Sequence, residues 1–253
     1  MHNNNNTLSE KVCLVTGASR ALGAEIARKL AGYGAHVAVN YHQSGEAAQA
    51  LCAELVEAGG TAIPLQADVS RPEQVETLLA QTRARLGPID ILVNNVGPYV
   101  DTPFLDLALS DFERIMAGNA QATFLVSQLV GRQMKERGSG QIINIAATDI
   151  FHRSHSVYGL AKSGVIYLTE AMALELAPTV RVNALAPDLI ADNEEMSPQF
   201  AAQSAAGTPL GRLVTRAEIA EMVCLLCTPV FDIVTGQTIV MDGGRTIPRI
   251  AMG

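Results

Sequence analysis

Short apolar runs alternate with longer segments of helical periodicity along almost the whole chain. Seven apolar runs, most of them ending in a polar or glycine-containing turn, are predicted as β-strands: VCLVTG (12–17), HVAVNY (36–41), TAIPLQAD (61–68), DILVNNVG (90–97), GQIINIAA (140–147), TVRVNALAP (179–187) and QTIVMD (237–242). The near-continuous hydrophobicity of these runs is typical of strands that are covered on both faces.

The segments between these runs have the periodicity of amphipathic helices, as Leu22, Ile26 and Leu30 illustrate with their spacing of four. The predicted helices span residues 21–35, 46–60, 71–87, roughly 110–137, 156–177 and about 216–227. Residues 188–212 have no strong period and are predicted as irregular or short-helical. Strands joined by helices of this length must pair in parallel through right-handed crossovers. We therefore expect an α/β fold, a single doubly wound Rossmann domain with a mostly parallel seven-stranded sheet, over residues 10–253. Residues 1–9 are predicted to be a disordered tail.

Composition excludes several classes of function for this chain of 253 residues, of which 48% are hydrophobic. No apolar run reaches the 18 or more residues expected of a membrane span. The net charge is −7 without a block of like charges, so neither nucleic acid nor an anionic membrane surface is an expected partner. The first ten residues lack the features of a signal peptide, and we expect a cytoplasmic protein. Cys224 and Cys227 are predicted to pack in the core, and no metal site is expected.

Two segments carry candidate chemistry. TGASRALG (16–23) follows the first strand and opens the first helix, where a glycine-rich turn lets a pyrophosphate approach unpaired backbone N–H groups. A plain structural turn would have a similar sequence, so its position matters more than its composition. Tyr158 and Lys162 lie four residues apart on one face of a predicted helix, where the ammonium would lower the pKa of the phenol. Taken alone, they could also be an ordinary exposed pair.

Together these segments resemble the short-chain dehydrogenases/reductases over roughly residues 8–245. The resemblance also includes the family's adenine-contacting pair, its NNAG motif, its active-site asparagine and its later landmarks, which correspond here to Asp68-Val69, Asn94-Asn95-Val96-Gly97, Asn119, Arg181-Val182-Asn183, Pro187 and Asp242-Gly243-Gly244. It implies that Tyr158 donates a proton while the nicotinamide delivers a hydride. It also implies that Lys162 binds the nicotinamide ribose and that Asn119 holds a water. Family members mostly form homodimers or homotetramers, and we expect an interface on the helices of residues 110–137 and 156–177, at Leu125, Leu129 and Leu168.

The cofactor implied by the resemblance is NADP(H). The second strand ends Asn40-Tyr41-His42 without the acid that would bind the ribose hydroxyls of NAD, and Arg20 and Ser44 can contact a 2′-phosphate. The predicted cofactor-binding residues are Gly17, Ser19, Arg20, Leu22, Gly23, Asn40, Tyr41, His42, Ser44, Asp68, Val69, Asn95, Val96, Gly97, Tyr158, Lys162 and Pro187.

Several positions depart from the family pattern. Ala21 replaces the middle glycine of the turn, and Asp188 and Asp192 replace a glycine and a threonine after the sixth strand. Ala147 stands where the family has the serine that orients the carbonyl. Tyr158 follows it by eleven positions, where the family usually has about thirteen. We predict that Thr148 supplies the missing hydroxyl, which makes it the fourth expected catalytic residue beside Tyr158, Lys162 and Asn119.

The leading functional expectation is an NADPH-dependent reductase of a small carbonyl compound, similar to the 3-oxoacyl-carrier-protein reductases. An alternative is a pteridine-reductase-like enzyme, which the compact ELAPTVRVN turn and the Gly-Gly-Arg sequence at 243–245 also resemble. A third alternative is a cofactor-binding protein with impaired catalysis, because the strand-five serine is missing.

Overall fold

A computed structural model describes residues 7–152 and 155–247, without the side chains of Ile150 and His152. The strands are β1 (Val12–Val15), β2 (His36–Tyr41), β3 (Thr61–Gln66), β4 (Ile91–Asn94), β5 (Gly140–Ile145), β6 (Val180–Pro187) and β7 (Thr238–Met241). The α-helices are α1 (Ala21–Gly32), α2 (Gly45–Glu57), α3 (Pro72–Arg85), α4 (Leu109–Met116), α5 (Ala122–Arg137), α6 (Asp149–His152), α7 (Val157–Leu176), α8 (Pro198–Gly207) and α9 (Arg216–Leu226).

All seven strands form one sheet in the order β3-β2-β1-β4-β5-β6-β7, and every pair is parallel. The prediction of a single doubly wound α/β domain is therefore confirmed, with a sheet that is parallel throughout. The order reverses between β1 and β4, which leaves a crevice at the carboxyl ends of these strands. Ligands of open α/β sheets bind in this crevice.

The sheet is covered on both faces. One core layer packs α1, α2 and α9 against the sheet, with Ile26, Leu51 and Val223 among its buried side chains. The other layer packs α3, α5 and α7 on the opposite face, with Leu78 and Val130 buried there. All four cysteines are free and buried, and the expected core positions of Cys224 and Cys227 are confirmed.

The structure corrects several predicted element boundaries. The helix predicted over 110–137 is two helices joined by a π-helical turn at Ala117–Gln121. The segment 188–212, predicted as irregular or short-helical, contains the short helix α8. Residues 7–9 of the predicted tail belong to a turn in which Leu8 is buried and its backbone N–H bonds the carbonyl of Tyr33. Residues 1–6 lie outside the described part of the chain.

Among the described helices, none is long and apolar enough to cross a membrane. The side chains expected at a subunit interface, Leu125, Leu129 and Leu168, are only half-exposed, and Leu129 packs against the second core layer. More exposed apolar side chains lie on α7, where Tyr167 is 73% and Leu174 is 83% exposed.

Candidate active site

The predicted site residues converge at the carboxyl edge of the sheet, because each follows or ends a parallel strand or lies on the helix after it. The turn after β1 carries Gly17, Ser19 and Arg20, and the first turn of α1 carries Leu22 and Gly23. Tyr41 and Pro187 are the last residues of β2 and β6, and His42 and Ser44 follow β2. The turns after β3 and β4 carry the remaining residues, Asp68, Val69, Asn95, Val96 and Gly97. Asn119 lies on the π-helical turn, and Tyr158 and Lys162 lie in the first turns of α7.

Asparagine and threonine side chains bind the turns after β1 and β4 to each other. The Asn95 amide donates to the carbonyl oxygens of Thr16 and Gly17 at 3.2 and 3.1 Å. In return, the Thr16 hydroxyl accepts the backbone N–H of Asn95 at 2.9 Å. These contacts fix the glycine-rich turn over the β1–β4 crevice.

Two positions of this turn have unusual backbone requirements. A β-carbon on Gly23 would lie 2.6 Å from the Asn95 amide nitrogen and closer still to the Gly17 carbonyl oxygen, so no side chain fits there. Ala21 has a left-handed φ of +50°, a conformation that disfavours any residue with a β-carbon. Ala21 therefore keeps the backbone conformation that a glycine would favour at this position.

At the end of β2, the side chain of Asn40 is hydrogen-bonded within the protein. The Asn40 side chain is buried, accepts the Gly17 N–H at 3.2 Å and donates to the carbonyls of Leu65 and Ala67. The Asn40 side chain therefore stabilises the glycine-rich turn after β1 by linking it to the end of β3. The exposed groups at this end of the crevice are His42 and, at the N-cap of α1, Arg20.

The pair after β3 is held by local hydrogen bonds. The Asp68 carboxylate accepts the Ser70 hydroxyl at 2.7 Å and the Ser70 backbone N–H at 3.0 Å. Burial raises the pKa of Asp68, but the Ser70 contacts outweigh it and the net pKa is lowered. Val69 is buried in the second core layer, so this position contributes its backbone to the crevice.

Tyr158 and Lys162 face the site from α7. Ser156 is the N-cap of this helix, and its hydroxyl accepts the Gly159 N–H at 3.0 Å. The Lys162 ammonium is buried, lies 5.5 Å from the centre of the Tyr158 ring and donates to the Ile145 carbonyl at 2.7 Å. The predicted pair is thus confirmed in position.

In this structure the net pKa of the Tyr158 phenol is raised. Burial raises the pKa of Tyr158 well above its ordinary value, and the Asp149 and Tyr99 charges add to this effect. Burial also lowers the pKa of Lys162 to about 8, against the opposing effect of Asp149. The phenol consequently holds its proton at neutral pH, as a proton donor must.

Asn119 is brought to the same place by the π-helical turn. Its amide nitrogen donates to the carbonyls of Pro98 and Ile115 at 3.0 and 2.9 Å, whereas its buried Oδ1 has no hydrogen-bond partner among the described residues. A β-carbon on Gly97 would lie 3.0 Å from the Lys162 ammonium and closer still to this oxygen. An unpaired acceptor and a cation therefore face one small space beside Gly97.

The end of β5 lacks a hydroxyl, as the sequence indicates, because Ala146 and Ala147 are buried alanines. Thr148 is also buried, and its hydroxyl donates to the Asp188 carboxylate at 2.8 Å. Arg245 binds the other oxygen of that carboxylate at 3.2 Å. In this structure the Thr148 hydroxyl is therefore directed at Asp188.

Sequence reasoning missed one group at the site, Tyr99, and left open whether Asp149 reaches it. Tyr99 lies in the loop after β4, and its ring meets that of Tyr158 edge-on at 5.0 Å. Asp149 begins α6 and is close enough to influence the pKa of Tyr158, Tyr99 and Lys162. No hydrophobic periodicity marks either residue as part of the site. Tyr99 follows the motif residue Gly97 by two positions, and Asp149 directly follows Thr148.

A cavity of about 540 Å³ lies apart from these groups, between the turn after α8, α9 and β7. Its lining includes Leu210, Leu213, Val240 and Ile247, and none of the predicted catalytic residues. In the described part of the chain, no group of three or more His, Cys, Asp or Glu side chains could hold a metal ion.

Comparisons with known proteins agree with this architecture. Residues 17–246 match the family model described as enoyl-(acyl carrier protein) reductase. A 3-oxoacyl-[acyl-carrier-protein] reductase of Synechocystis sp. is 39% identical over 95% of this chain and 98% of its own length. The corresponding reductase of Staphylococcus aureus is 34% identical over 92% of this chain and 97% of its own.

Solved structures resemble the fold along its whole length. A short-chain dehydrogenase/reductase from Serratia marcescens superimposes with a TM-score of 0.89 at 34% identity, covering 95% of this chain and all of its own. A 7α-hydroxysteroid dehydrogenase complexed with NADH and 7-oxo glycochenodeoxycholic acid gives 0.90 at 31% identity, covering 96% and 97%. The sheet order, the Tyr158–Lys162 pair and these matches agree: the chain belongs to the short-chain dehydrogenase/reductase family and is an oxidoreductase.

Proposed function

We propose that this protein reduces a small carbonyl compound with NADPH and that Tyr158 is the proton donor. The observation that carries the proposal is the convergence of three side chains around one cation. The buried ammonium of Lys162 and the unpaired Oδ1 of Asn119 meet beside Gly97, and the ring of Tyr158 lies 5.5 Å from the same ammonium. Neither a buried cation nor a buried unpaired acceptor favours folding. Their presence together supports a catalytic role.

The residues present fit a dinucleotide. The N–H groups of the first turn of a helix have no partner within the helix, and the α1 N-terminus directs such groups toward the crevice, where they suit an anion. Gly17 and Gly23 let the turn before α1 pack closely against Asn95 and Val96. Gly97 leaves open the space that Lys162 and Asn119 face. When bound, the nicotinamide cofactor supplies the hydride.

The chain's own groups supply the proton. The raised pKa of Tyr158 keeps its phenol protonated, ready to donate to the substrate oxygen as negative charge develops there. The Lys162 ammonium, 5.5 Å from the ring centre, stabilises the phenolate that remains. Asn119 Oδ1 and Lys162 Nζ can share one water molecule in the space beside Gly97, which gives a route for returning the proton to Tyr158.

The preference for NADPH is supported by the charges at the end of β2. His42 and Arg20 are exposed there, and the position that would hold a ribose-binding acid is the buried Asn40. At these positions, a 2′-phosphate would lie near the guanidinium of Arg20, and no carboxylate would repel it. The similar steroid dehydrogenase was solved with NADH, so a shared fold does not by itself set the cofactor. We therefore assign the choice between NADH and NADPH to these local side chains.

A 3-oxoacyl thioester is the proposed substrate class, because the Synechocystis and Staphylococcus relatives are 3-oxoacyl-[acyl-carrier-protein] reductases. A second candidate is a flat heterocycle of the pteridine type. The exposed Tyr99 ring, edge-on to Tyr158 and near the Asp149 charge, favours this alternative because an aromatic ring and a carboxylate suit a planar N–H donor.

The experiment compares NADPH oxidation with an acetoacetyl thioester and with a dihydropteridine, in the wild type and in Tyr158→Phe. General acid catalysis contributes about 10²–10⁴-fold, so Tyr158→Phe should lose at least the lower factor while NADPH affinity stays within twofold. Retained turnover would mean that another group, such as Asp149 or His155, protonates the product. Tight NADPH binding without turnover of either substrate would favour a cofactor-binding protein with impaired catalysis.

We also propose that the protein forms a homodimer or homotetramer. The outer face of α7 exposes Leu160, Tyr167 and Leu174, and the neighbouring α5 exposes Phe124. A second copy of the chain would bury this apolar surface.

A further inference from the structure

Asp188 lies at the junction of three segments that follow neighbouring strands. It comes directly after β6, accepts the hydroxyl of Thr148 from the segment after β5 and binds the guanidinium of Arg245 from the segment after β7. Its side chain is only 10% exposed, and that of Arg245 is 28% exposed. A carboxylate this buried is stabilised by its charged and hydrogen-bonding partners.

The backbone around Asp188 is also fixed. Its N–H donates to the Met241 carbonyl at 3.2 Å, and the preceding Pro187 carbonyl accepts the Thr148 N–H at 3.3 Å. The Thr148 carbonyl in turn accepts the N–H of Phe151 in α6 at 2.8 Å. Asp188 thus holds the start of the segment that leads from β5 to Tyr158.

A hydrogen-bonded turn at residues 242–246 holds Arg245 beside Asp188. The Asp242 carboxylate accepts the Gly244 N–H at 2.8 Å and the Thr246 N–H and hydroxyl at 2.6 Å each. Gly243 has a φ of +62°, and a β-carbon there would lie 2.6 Å from the Thr208 methyl group. The turn is therefore packed tightly enough to fix the position of Arg245.

We propose that Asp188 is a positioning residue that, held by Arg245, orients residues 148–151 after β5 and thereby the phenol of Tyr158. This inference rests on the proposed reductase function. It goes beyond that function because it makes the C-terminal turn at 242–246 part of the machinery that sets the rate. A misplacement of about 1 Å at a reacting centre can lower a rate by on the order of 10²-fold.

The test measures kcat, KM and NADPH affinity in Asp188→Ala, Asp188→Asn, Arg245→Ala and Arg245→Lys. We expect kcat to fall by about 10- to 100-fold in Asp188→Ala, with the dissociation constant for NADPH within twofold of the wild type. Asp188→Asn keeps an acceptor for Thr148 and Arg245→Lys keeps a cation, so each should lose less than the corresponding alanine variant. The matched control is Arg212→Ala, which removes the more exposed Arg212–Glu218 pair and should leave kcat unchanged.

A double-mutant cycle separates positioning from general stability. Thr148 and Arg245 contact different oxygens of Asp188, so the losses in Thr148→Val and Arg245→Ala should be non-additive in kcat. Multiplicative losses, or an unchanged kcat in folded Asp188→Ala, would overturn the proposal.

Hydrogen exchange gives a readout that needs no turnover. The Phe151 amide, bonded to the Thr148 carbonyl, should lose protection in Asp188→Ala and Arg245→Ala but not in Arg212→Ala. If the wild type reduces none of the substrates, the reductase proposal fails by itself. Unchanged Phe151 protection in these variants would then overturn the positioning role separately.

Discussion

The ammonium of Lys162 donates a 2.7 Å hydrogen bond to the carbonyl oxygen of Ile145, the last residue of β5. Burial lowers the pKa of this ammonium to about 8. Its charge is therefore present below this pH and lost above it. We expect the rate of reduction at saturating NADPH to fall about tenfold per pH unit above pH 8, as the cation beside Tyr158 disappears.

The control for this pH dependence is Lys162→Arg. A guanidinium stays protonated throughout the accessible range, so the fall in rate should move upward by at least one pH unit, even if the absolute rate is lower. A fall that stays near pH 8 in this variant would assign the titration to another group.

Gly23 and Gly32 provide a matched pair of glycines within α1. A β-carbon on Gly23 would lie 2.6 Å from the Asn95 amide nitrogen, whereas nothing lies within 4 Å of one on Gly32. Gly23→Ala should lower the free energy of unfolding by about 1–3 kcal/mol and weaken NADPH binding. Gly32→Ala should be neutral or raise the free energy of unfolding by up to about 1 kcal/mol. Thermal unfolding and cofactor titration of both variants check this, and equal effects would contradict the close approach at Gly23.

Cofactor preference depends on Arg20, which is exposed at the N-cap of α1. A charge-assisted hydrogen bond to a 2′-phosphate contributes about 1.5–3 kcal/mol, so Arg20→Ala should weaken NADPH binding by about tenfold or more and NADH binding by less than twofold. Arg132→Ala, which removes an exposed arginine of α5, is the control. Equal affinity of the wild type for both cofactors would reject the preference.

Subunit association is expected to use α7. Leu174 is 83% exposed and Tyr167 is 73% exposed, and a charge placed there would be buried against a second copy of the chain. Light scattering should show a dimer or tetramer for the wild type and smaller species for Leu174→Glu. Val56→Glu, at an exposed apolar position on α2, should leave the mass unchanged. A monomeric wild type at micromolar concentration would refute the assembly.

The periodic features of the sequence predicted the architecture well. Continuous apolar runs such as 140–147 and helical stripes such as Leu22-Ile26-Leu30 reflect the regular spacing of buried side chains in strands and helices. This spacing depends only on residues that are close in sequence. The glycine turn and the Tyr158–Lys162 spacing could be located because each falls within one element or one junction. Local sequence patterns therefore predicted the fold and indicated where the candidate site lies in it.

Contacts between distant segments could not be predicted in this way. The Thr148–Asp188–Arg245 contacts join three loops, and the buried amide of Asn40 serves the turn at Gly17 instead of a ligand. The direction in which a polar side chain points after a strand ends depends on its partners across the sheet. A π-helical turn, as at Asn119, likewise has no periodic signature, although the resemblance located that residue.

The missing hydroxyl at Ala147 gives the last prediction. A preorganised donor to a developing oxyanion contributes on the order of 2.7–4 kcal/mol, and the Thr148 hydroxyl that could replace it is directed at Asp188. We expect Ala147→Ser to raise kcat/KM by about tenfold or more, because it puts a hydroxyl where the resemblance places one. Ala146→Ser, the same change one residue earlier, should give no gain, because successive side chains of an extended segment point to opposite sides. Steady-state kinetics with the acetoacetyl thioester measure both variants. If Thr148 were instead the donor to substrate, releasing its hydroxyl in Asp188→Ala would raise turnover and Ala147→Ser would add nothing, the reverse of the expected result.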